Sequence, residues 1–452
     1  MPQAIHFISV GGSAMHNLAL ALQHQGYIIT GSDNQIYEPS RTRLKQHSLL
    51  PDELGWFPEK ITTDLDGIIV GMHAHKDNPE LIKALELGLP IYSYPEFIYQ
   101  QSQQKQRVVI AGSHGKTTIT AMILHVMAYH KRLFDYWIGD EIDGFDATVK
   151  LTPDAPVIII EGDEYASSPI DARPKFLHYQ PHIALISGIA WDHINIYPTW
   201  DQYVDQFESL AEAMPKAGIL IFDESDDMLD VIGQKDRPDI TKIPYVAHPS
   251  EIVNGQTYLI TKQGHKLPLQ IFGDHNMKNV SGALTVCNRI GVTEDQFYEA
   301  ITSFKGVAQR LEKVAENGLR ILYRDFAHSP AKVEATTEAV KRQYLDRKLL
   351  AVLELYTLSS LNKVFLDQYR GTLEAADEAV VYFDAKTIQN MSISVEDIAE
   401  AFDKPNLQIL TNTEDLTAYL LQKRNSDQVF LLMSSGTFSG LNLNEVSKEL
   451  IQ

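Results

Sequence analysis

The segment GSHGKTT, Gly112 to Thr118, sets two glycines, a lysine and two threonines between an apolar run, VVIA, and a helical stretch, ITAMILHVMAY. Strand, glycine loop and helix is the context that a phosphate-binding loop needs. Backbone N–H groups and the helix N-terminus meet phosphate oxygens, Lys116 adds positive charge, and the Thr117 hydroxyl can reach Mg²⁺. Gly112, Ser113, His114, Gly115, Lys116, Thr117 and Thr118 are therefore candidate nucleotide-binding residues. The full GxxxxGK[ST] spacing is not met, because Ile110 holds the first glycine position.

Other groups gain meaning from that loop. The strand VIII ends in Glu161, Asp163 and Glu164, whose carboxylates would face a bound phosphate and supply the oxygen ligands that Mg²⁺ prefers. Without the loop, a solvated acidic turn would be the better reading. IAWDHINIY sets Asp192 and His193 just after another apolar run, although a histidine on spacing alone is more often structural. GDHNMKN, Gly273 to Asn279, offers His275, Asn276 and Asn279, which could read a purine ring by hydrogen bonding. Clusters of Gly and Asn usually mean turns, so a turn is the plain expectation there. Arg310, Asp325 and His328 carry no signal singly. Gly11 and Gly12, with Gly31 and Asp33, raise a dinucleotide reading, but Ser13, Ala14, Met15 and His16 follow Gly12 and GxGxxG is not completed. Hydride transfer is thus poorly supported, and a related fold binding a uridine nucleotide needs less of that fingerprint.

Such groups must be held at strand ends, and apolar runs alternate with amphipathic helix-length stretches throughout, the pattern of parallel sheets flanked by helices. AIHFISVGG, YIITGSD, DGIIVGMHA and LPIYSY form a first, doubly wound unit. The polar stretch QQSQQKQR, Gln100 to Arg107, reads as a linker or as a helix end running into a new strand. RVVIAG, APVIIIEGDE, PHIALISGIAWDH and AGILIFDE form a second unit. LRILYRDFAHSP, KLLAVLEL, DEAVVYFD, LQILTN and QVFLLMSSG form a third. Domains at 1–104, 105–308 and 309–452 follow, as 452 residues exceed what one core usually organises. The 39 basic and 59 acidic residues leave a net charge of −20, which opposes nucleic acid and anionic membrane surfaces. No run approaches the roughly 18 apolar residues of a membrane span, and no signal core follows a basic N-terminus, so a cytoplasmic protein is expected. The single cysteine, Cys287, excludes an intrachain disulfide or a thiolate metal cluster.

Taken in order, GSHGKTT, EGDEY, WDHINIY, GDHNMKN, GVAQRLE and RDFAHSP resemble the Mur ligase family, ATP-dependent amide-bond enzymes of peptidoglycan assembly, over essentially the full chain. Within it, GDEY, ARPKFLHY, QRLE and DFAH are most similar to the murein peptide ligases. The resemblance implies an α/β fold of three domains: a Rossmann-like N-terminal domain, a central P-loop ATPase-type domain and a Rossmann-like C-terminal domain. The first would hold UDP-N-acetylmuramate, with Gly11, Gly12, Ser13, Ser32 and Asp33 at the sugar nucleotide. The second would hold ATP and Mg²⁺, and the third the amine of L-alanyl-γ-D-glutamyl-meso-diaminopimelate. Lys116 would contact the β and γ phosphates, Thr117, Glu164 and His193 would hold the metal, and His275, Asn276 and Asn279 would approach adenine. Arg310 and Asp325 would contact the nucleotide on closure, with His328 beside the reacting groups. Lys116, His193, Arg310 and His328 form the expected catalytic set. The relative that adds L-alanine is the alternative, and a non-catalytic nucleotide sensor another. The chain departs from the family at Ala166 (commonly an acid), Arg324 (an acid), Ser329 (a histidine) and ELYTLSS, Glu354 to Ser360, where family members commonly have EPRSNT. The arginine missing there is the usual fork for a peptide carboxylate.

Overall fold

The computed structural model describes residues 3–192, 194, 196–357, 359–388, 393–424 and 426–452. Each apolar run named above becomes a strand. Ile28–Ser32, Ala4–Ile8, Gly67–Val70 and Ile91–Ser93 lie in that order in an all-parallel four-stranded sheet. The strand order reverses beside Ala4–Ile8, so the crevice at its carboxyl end opens next to Gly11 and Gly12.

The central sheet has seven strands in the order Thr241–Tyr245, Ile219–Asp223, Ile183–Ile186, Gln106–Ala111, Val157–Glu161, Asp135–Trp137 and Val149–Lys150. All neighbours are parallel except the last pair. Val108, Val109, Ile110 and Ala111 are completely buried, which explains an unbroken apolar run in place of alternation. Because Gln106–Ala111 lies between Ile183–Ile186 and Val157–Glu161, the carboxyl ends of these three strands bring the glycine loop, Ser187 and Glu161 together. The helices Lys116–Tyr129 and Asp274–Arg289 pack on each other and share a core with this sheet.

The third sheet orders Glu312–Glu316, Arg320–Asp325, Gln428–Met433, Lys348–Glu354, Glu378–Tyr382 and Gln408–Leu410, with only the first strand antiparallel. The fold is thus α/β with three parallel-sheet units, as the alternation of apolar runs implies.

One sequence expectation changes. GDHNMKN is not a turn: Gly273, at φ +93°, ends the preceding segment and the other six residues open the helix Asp274–Arg289. A backbone that lacks Cβ makes that entry, and its asparagines then point from the first turns of a helix. Two antiparallel additions also carried no recognisable signal: a three-stranded sheet, Ser250–Val253, Gln256–Ile260 and Lys266–Pro268, and a hairpin, Ala166–Ser168 with Asp171–Pro174. QQSQQKQR is a pinned joint. The helix Tyr94–Gln101 ends within it, and the buried Arg107 guanidinium donates to the carbonyls of Tyr179 at 2.8 Å and Ser102 at 3.1 Å. Among the described residues, no helix is long and apolar enough to cross a membrane.

Candidate active site

The loop between Gln106–Ala111 and the helix Lys116–Tyr129 takes its shape from two glycines with positive φ, Gly112 at +129° and Gly115 at +77°. A Cβ on Gly115 would stand 2.6 Å from Asn279 Oδ1, and one on Gly112 would stand 2.4 Å from Ser187 Oγ. The loop is therefore clamped by the neighbouring strand and by the helix that begins at GDHNMKN. Ser113 completes the clamp: its hydroxyl donates to the Gly188 carbonyl at 3.1 Å and accepts from Ala190 N–H at 2.8 Å. The His114 ring lies against Gly188, where a Cβ would come within 2.3 Å of it. Burial, assisted by the charges of Lys332, Lys278 and Lys116, pushes this imidazole down to about 3, so it is neutral.

Lys116 donates to Glu164 Oε2 at 3.0 Å and to the Gly112 carbonyl at 2.7 Å. Burial works against its charge, but the Glu164, Asp163 and Glu161 carboxylates outweigh that and raise its pKa. Thr117 Oγ1 donates to Glu161 Oε1 at 2.7 Å, and Gly139 N–H donates to Glu161 Oε2 at 2.8 Å. Burial, with Asp163 close by, pushes Glu161 up to about 7. A carboxyl so disfavoured as an anion, touching the hydroxyl that follows the loop lysine, is an oxygen donor that a cation would stabilise. Thr117, Glu161 and Glu164 therefore fit Mg²⁺ by donor chemistry. The structure places Glu161 on Thr117 and holds the expected ligand Glu164 on Lys116 and on the Tyr203 hydroxyl, 3.1 Å away. His193 lies outside the described residues.

A cleft of about 930 Å³ opens above this loop. Its central-unit wall includes Ser113 to Thr118, His275, Asn276 and Asn279, and its far wall carries Arg310, Asp325 and His328 from the third unit. Asn276 donates to the Phe272 carbonyl at 2.8 Å and accepts from Asn279 at 3.3 Å, whereas His275 Nδ1 is buried without a hydrogen-bond partner. An orphaned polar atom beside the phosphate loop fits a ring that brings its own donors or acceptors. Burial pushes His275 down to about 4, so it too is neutral.

Across the cleft, Arg310 pairs with Asp140 at 2.7 Å and stacks over Phe326, its guanidinium carbon 4.2 Å from the ring centroid. Asp325 accepts from Leu311 N–H at 2.7 Å and Ala327 N–H at 2.6 Å, and burial pushes it up to about 6. His328 Nδ1 lies 2.8 Å from the Phe326 carbonyl. The nucleotide-side residues named from the sequence thus converge, with His193 outside that statement. The sugar-side set lies apart from the cleft, at the carboxyl ends of Ala4–Ile8 and Ile28–Ser32. Asp33 Oδ2 accepts from Gly11 N–H at 2.8 Å, Ser32 is buried beneath it, and Gly12 precedes the helix Ser13–His24. None of these five residues lines the cleft. Sequence reasoning missed Asp140, Lys278 and Lys332, because their partners come from distant segments and no spacing marks them.

Comparison with known proteins agrees with this geometry. The chain matches Mur ligase family, catalytic domain, over residues 4–106, Mur ligase middle domain over 110–287, and Mur ligase, glutamate ligase domain, over 309–436. It is 27% identical to UDP-N-acetylmuramate--L-alanine ligase of Desulfitobacterium hafniense (strain Y51), covering 96% of this chain and 98% of the relative. Its fold is like that of the UDP-N-acetylmuramate-alanine ligase of Thermotoga maritima, with a TM-score of 0.71 at 18% identity over 99% of this chain and 98% of the other. It is also like that of a murein peptide ligase from Psychrobacter arcticus 273-4, with a TM-score of 0.65 at 23% identity over 99% and 98%. A phosphate loop backed by carboxylates, a cleft closed by a third α/β unit and matches along nearly the whole chain lead to one conclusion: this chain belongs to the Mur ligase family and is an ATP-dependent amide-bond-forming ligase.

Proposed function

We propose that the chain phosphorylates the carboxylate of UDP-N-acetylmuramate and transfers the acyl group to the α-amine of an L-alanyl acceptor, in the cytoplasm. The carrying observation is the arrangement of Lys116, Thr117, Glu161 and Glu164 at the loop, facing Arg310, Asp325 and His328 of another unit across one cleft. Residues 1–104 would hold the sugar nucleotide through Gly11, Gly12, Ser13, Ser32 and Asp33. Residues 105–308 would hold ATP, and residues 309–452 the acceptor.

A carboxylate does not condense with an amine in water until its oxygen becomes a good leaving group. In the first step the carboxylate oxygen attacks the γ-phosphorus and ADP departs, giving an acyl phosphate. Lys116 offsets charge on the transferring phosphoryl group, and the loop N–H groups orient it. In the second step the amine nitrogen attacks the acyl carbon. An oxyanion forms, phosphate leaves and the nitrogen loses a proton. An α-amine of pKa about 8 is already partly neutral at cytosolic pH. Mg²⁺, held by Thr117, Glu161, Glu164 and His193, would supply charge neutralisation to the phosphates. His275, Asn276 and Asn279 would read adenine, and His328 would stand beside the reacting groups.

Free L-alanine is the acceptor we favour, because relatives matched over nearly their whole length carry that activity in their names. The tripeptide L-alanyl-γ-D-glutamyl-meso-diaminopimelate is the second reading. It is supported by the hairpin and short helix built from ARPKFLHY, the segment most similar to murein peptide ligases, and by the fold likeness to one of them. Both acceptors present an L-alanyl amine. The test is phosphate release with ATP, Mg²⁺ and UDP-N-acetylmuramate, comparing the two. Release with alanine selects the first reading and release with tripeptide alone the second. Release with neither returns the chain to the nucleotide-sensor alternative.

A further inference from the structure

Five basic side chains line the cleft, and each is paired with one carboxylate of the chain, Arg342 with Asp274. Arg310 is 2.7 Å from Asp140, Lys116 is 3.0 Å from Glu164, Lys278 is 3.0 Å from Asp223, and Lys332 is 3.5 Å from Asp192. The last pair is the longest. It also joins two units: Asp192 follows the central strand Ile183–Ile186, while Lys332 lies in the first turn of Pro330–Gln343, the helix that follows Asp325 and His328. We propose that Lys332 is an oxyanion grip which the third unit inserts into the phosphoryl-transfer site, releasing Asp192 when a substrate oxyanion arrives. The inference rests on the ligase reading above and adds a residue to it.

Three considerations support this role over that of a fixed interdomain bridge. An ammonium removed from water is costly unless its contact is close, and 3.5 Å to Asp192 is a weak return on a side chain only 26% exposed. A multiply charged ligand in the same cleft would outbid a single carboxylate at that distance. Lysine also suits an exchange of partners, since it is a compact charge on a flexible stem, whereas an arginine fork favours one planar partner. The position has a local cause. Ser329 precedes the helix and Lys332 is its third residue, so the two share a face, and the lysine side chain leans back over the helix start toward the cleft. The oxyanion has two possible sources, the terminal phosphoryl group of the nucleotide or the acceptor's carboxylate. ELYTLSS offers no arginine for the latter.

The test uses the full chain as wild type, Lys332→Met and Lys332→Arg, each first checked for an unchanged thermal midpoint. ADP and AMP-PNP affinities are measured by calorimetry with Mg²⁺. Hydroxamate from ATP, UDP-N-acetylmuramate and hydroxylamine is then measured without acceptor, and finally the acceptor KM. If the source is the terminal phosphoryl group, Lys332→Met loses about ten-fold in AMP-PNP affinity with ADP affinity retained, and hydroxamate falls. If it is the acceptor carboxylate, nucleotide affinities and hydroxamate persist while the acceptor KM rises about ten-fold. Lys332→Arg recovers part of either loss. A lowered midpoint in Lys332→Met, or equal weakening of ADP and AMP-PNP, would make Lys332 a structural bridge and overturn the proposal, as would no change in any reading. Failure of the wild type to release phosphate would refute the ligase reading separately, and the AMP-PNP to ADP comparison would still judge Lys332.

Discussion

At the scale of single residues, the site is a set of buried charges whose cost is offset by mutual pairing and whose imbalance is resolved by ligand. Lys116 owes its charge to Glu164, Asp163 and Glu161, and its replacement by alanine removes the ammonium that pairs with Glu164. Lys116→Ala is expected to lower turnover about 10²–10³-fold, while calorimetry shows sugar-nucleotide binding nearly intact. Ligation above a tenth of wild type would refute the phosphate-loop assignment. Buried neutral histidines give a second expectation. His275 has a folded pKa of about 4 against an ordinary 6.5, so the unfolded chain takes up its proton first as pH falls. Stability is lost between pH 6.5 and 4, by up to about 1 kcal/mol per pH unit for this group. His275→Asn should flatten the fall in urea midpoint across that window, and an unchanged slope would place the acid sensitivity elsewhere. Sequence gave the loop residues at once because their chemistry is written in consecutive positions. It could not give Glu161 as the Thr117 partner over Glu164, since the choice depends on how the strand end turns.

At the scale of elements, what matters is which glycines are fixed by their neighbours. Gly115 and Gly144 both have positive φ, +77° and +83°, but a Cβ on Gly115 would stand 2.6 Å from Asn279 Oδ1 whereas one on Gly144 would meet nothing within 4 Å. Gly144→Ala should cost about 1 kcal/mol, the left-handed backbone penalty alone. Gly115→Ala should cost about 2–3 kcal/mol in thermal denaturation and also weaken ATP binding, because the loop must move off the asparagine. Equal costs would show that the Asn279 contact yields freely. Inner strands such as Gln106–Ala111 and Lys348–Glu354 were legible because burial on both faces demands unbroken apolar runs, whereas Asp135–Trp137, Val149–Lys150, Thr241–Tyr245 and Glu312–Glu316, short or at the sheet margins, were not. The sheet of Ser250–Val253, Gln256–Ile260 and Lys266–Pro268 was not, since its residues are largely half-buried or exposed and no apolar face repeats.

At the scale of the whole molecule, the loop after Asp135–Trp137 joins the three units. Its adjacent carboxylates diverge: Asp140 pairs with Arg310 of the third unit and Glu141 with Arg43 of the first, each at 2.7 Å. The same loop begins at Gly139, whose N–H rests on Glu161. A second joint lies where Arg173 bridges Asp171 of the hairpin and Glu96 of the first unit, with His178 beside both carboxylates. Arg173 already brings positive charge to these groups. Exposed pairs contribute little to stability, so Asp140→Asn with Glu141→Gln should cost only about 1 kcal/mol in all. The doubly substituted chain should nevertheless show longer maximum dimensions by small-angle scattering than Glu316→Gln, which breaks a pair inside one unit. Identical scattering would mean that apolar packing alone sets the arrangement. By itself the sequence determined the three α/β units and the phosphate loop, since those rest on local periodicity and on a few consecutive residues, and the reaction class through the resemblance its short motifs carry to a known family. Only the tertiary structure decided that GDHNMKN opens a helix against the loop, that Glu161 receives Thr117, and that Lys332 and Asp140 reach into the cleft. The side-chain contacts among these join positions 44 to 170 residues apart, and how strongly such charges act depends on burial, which no spacing in one chain records.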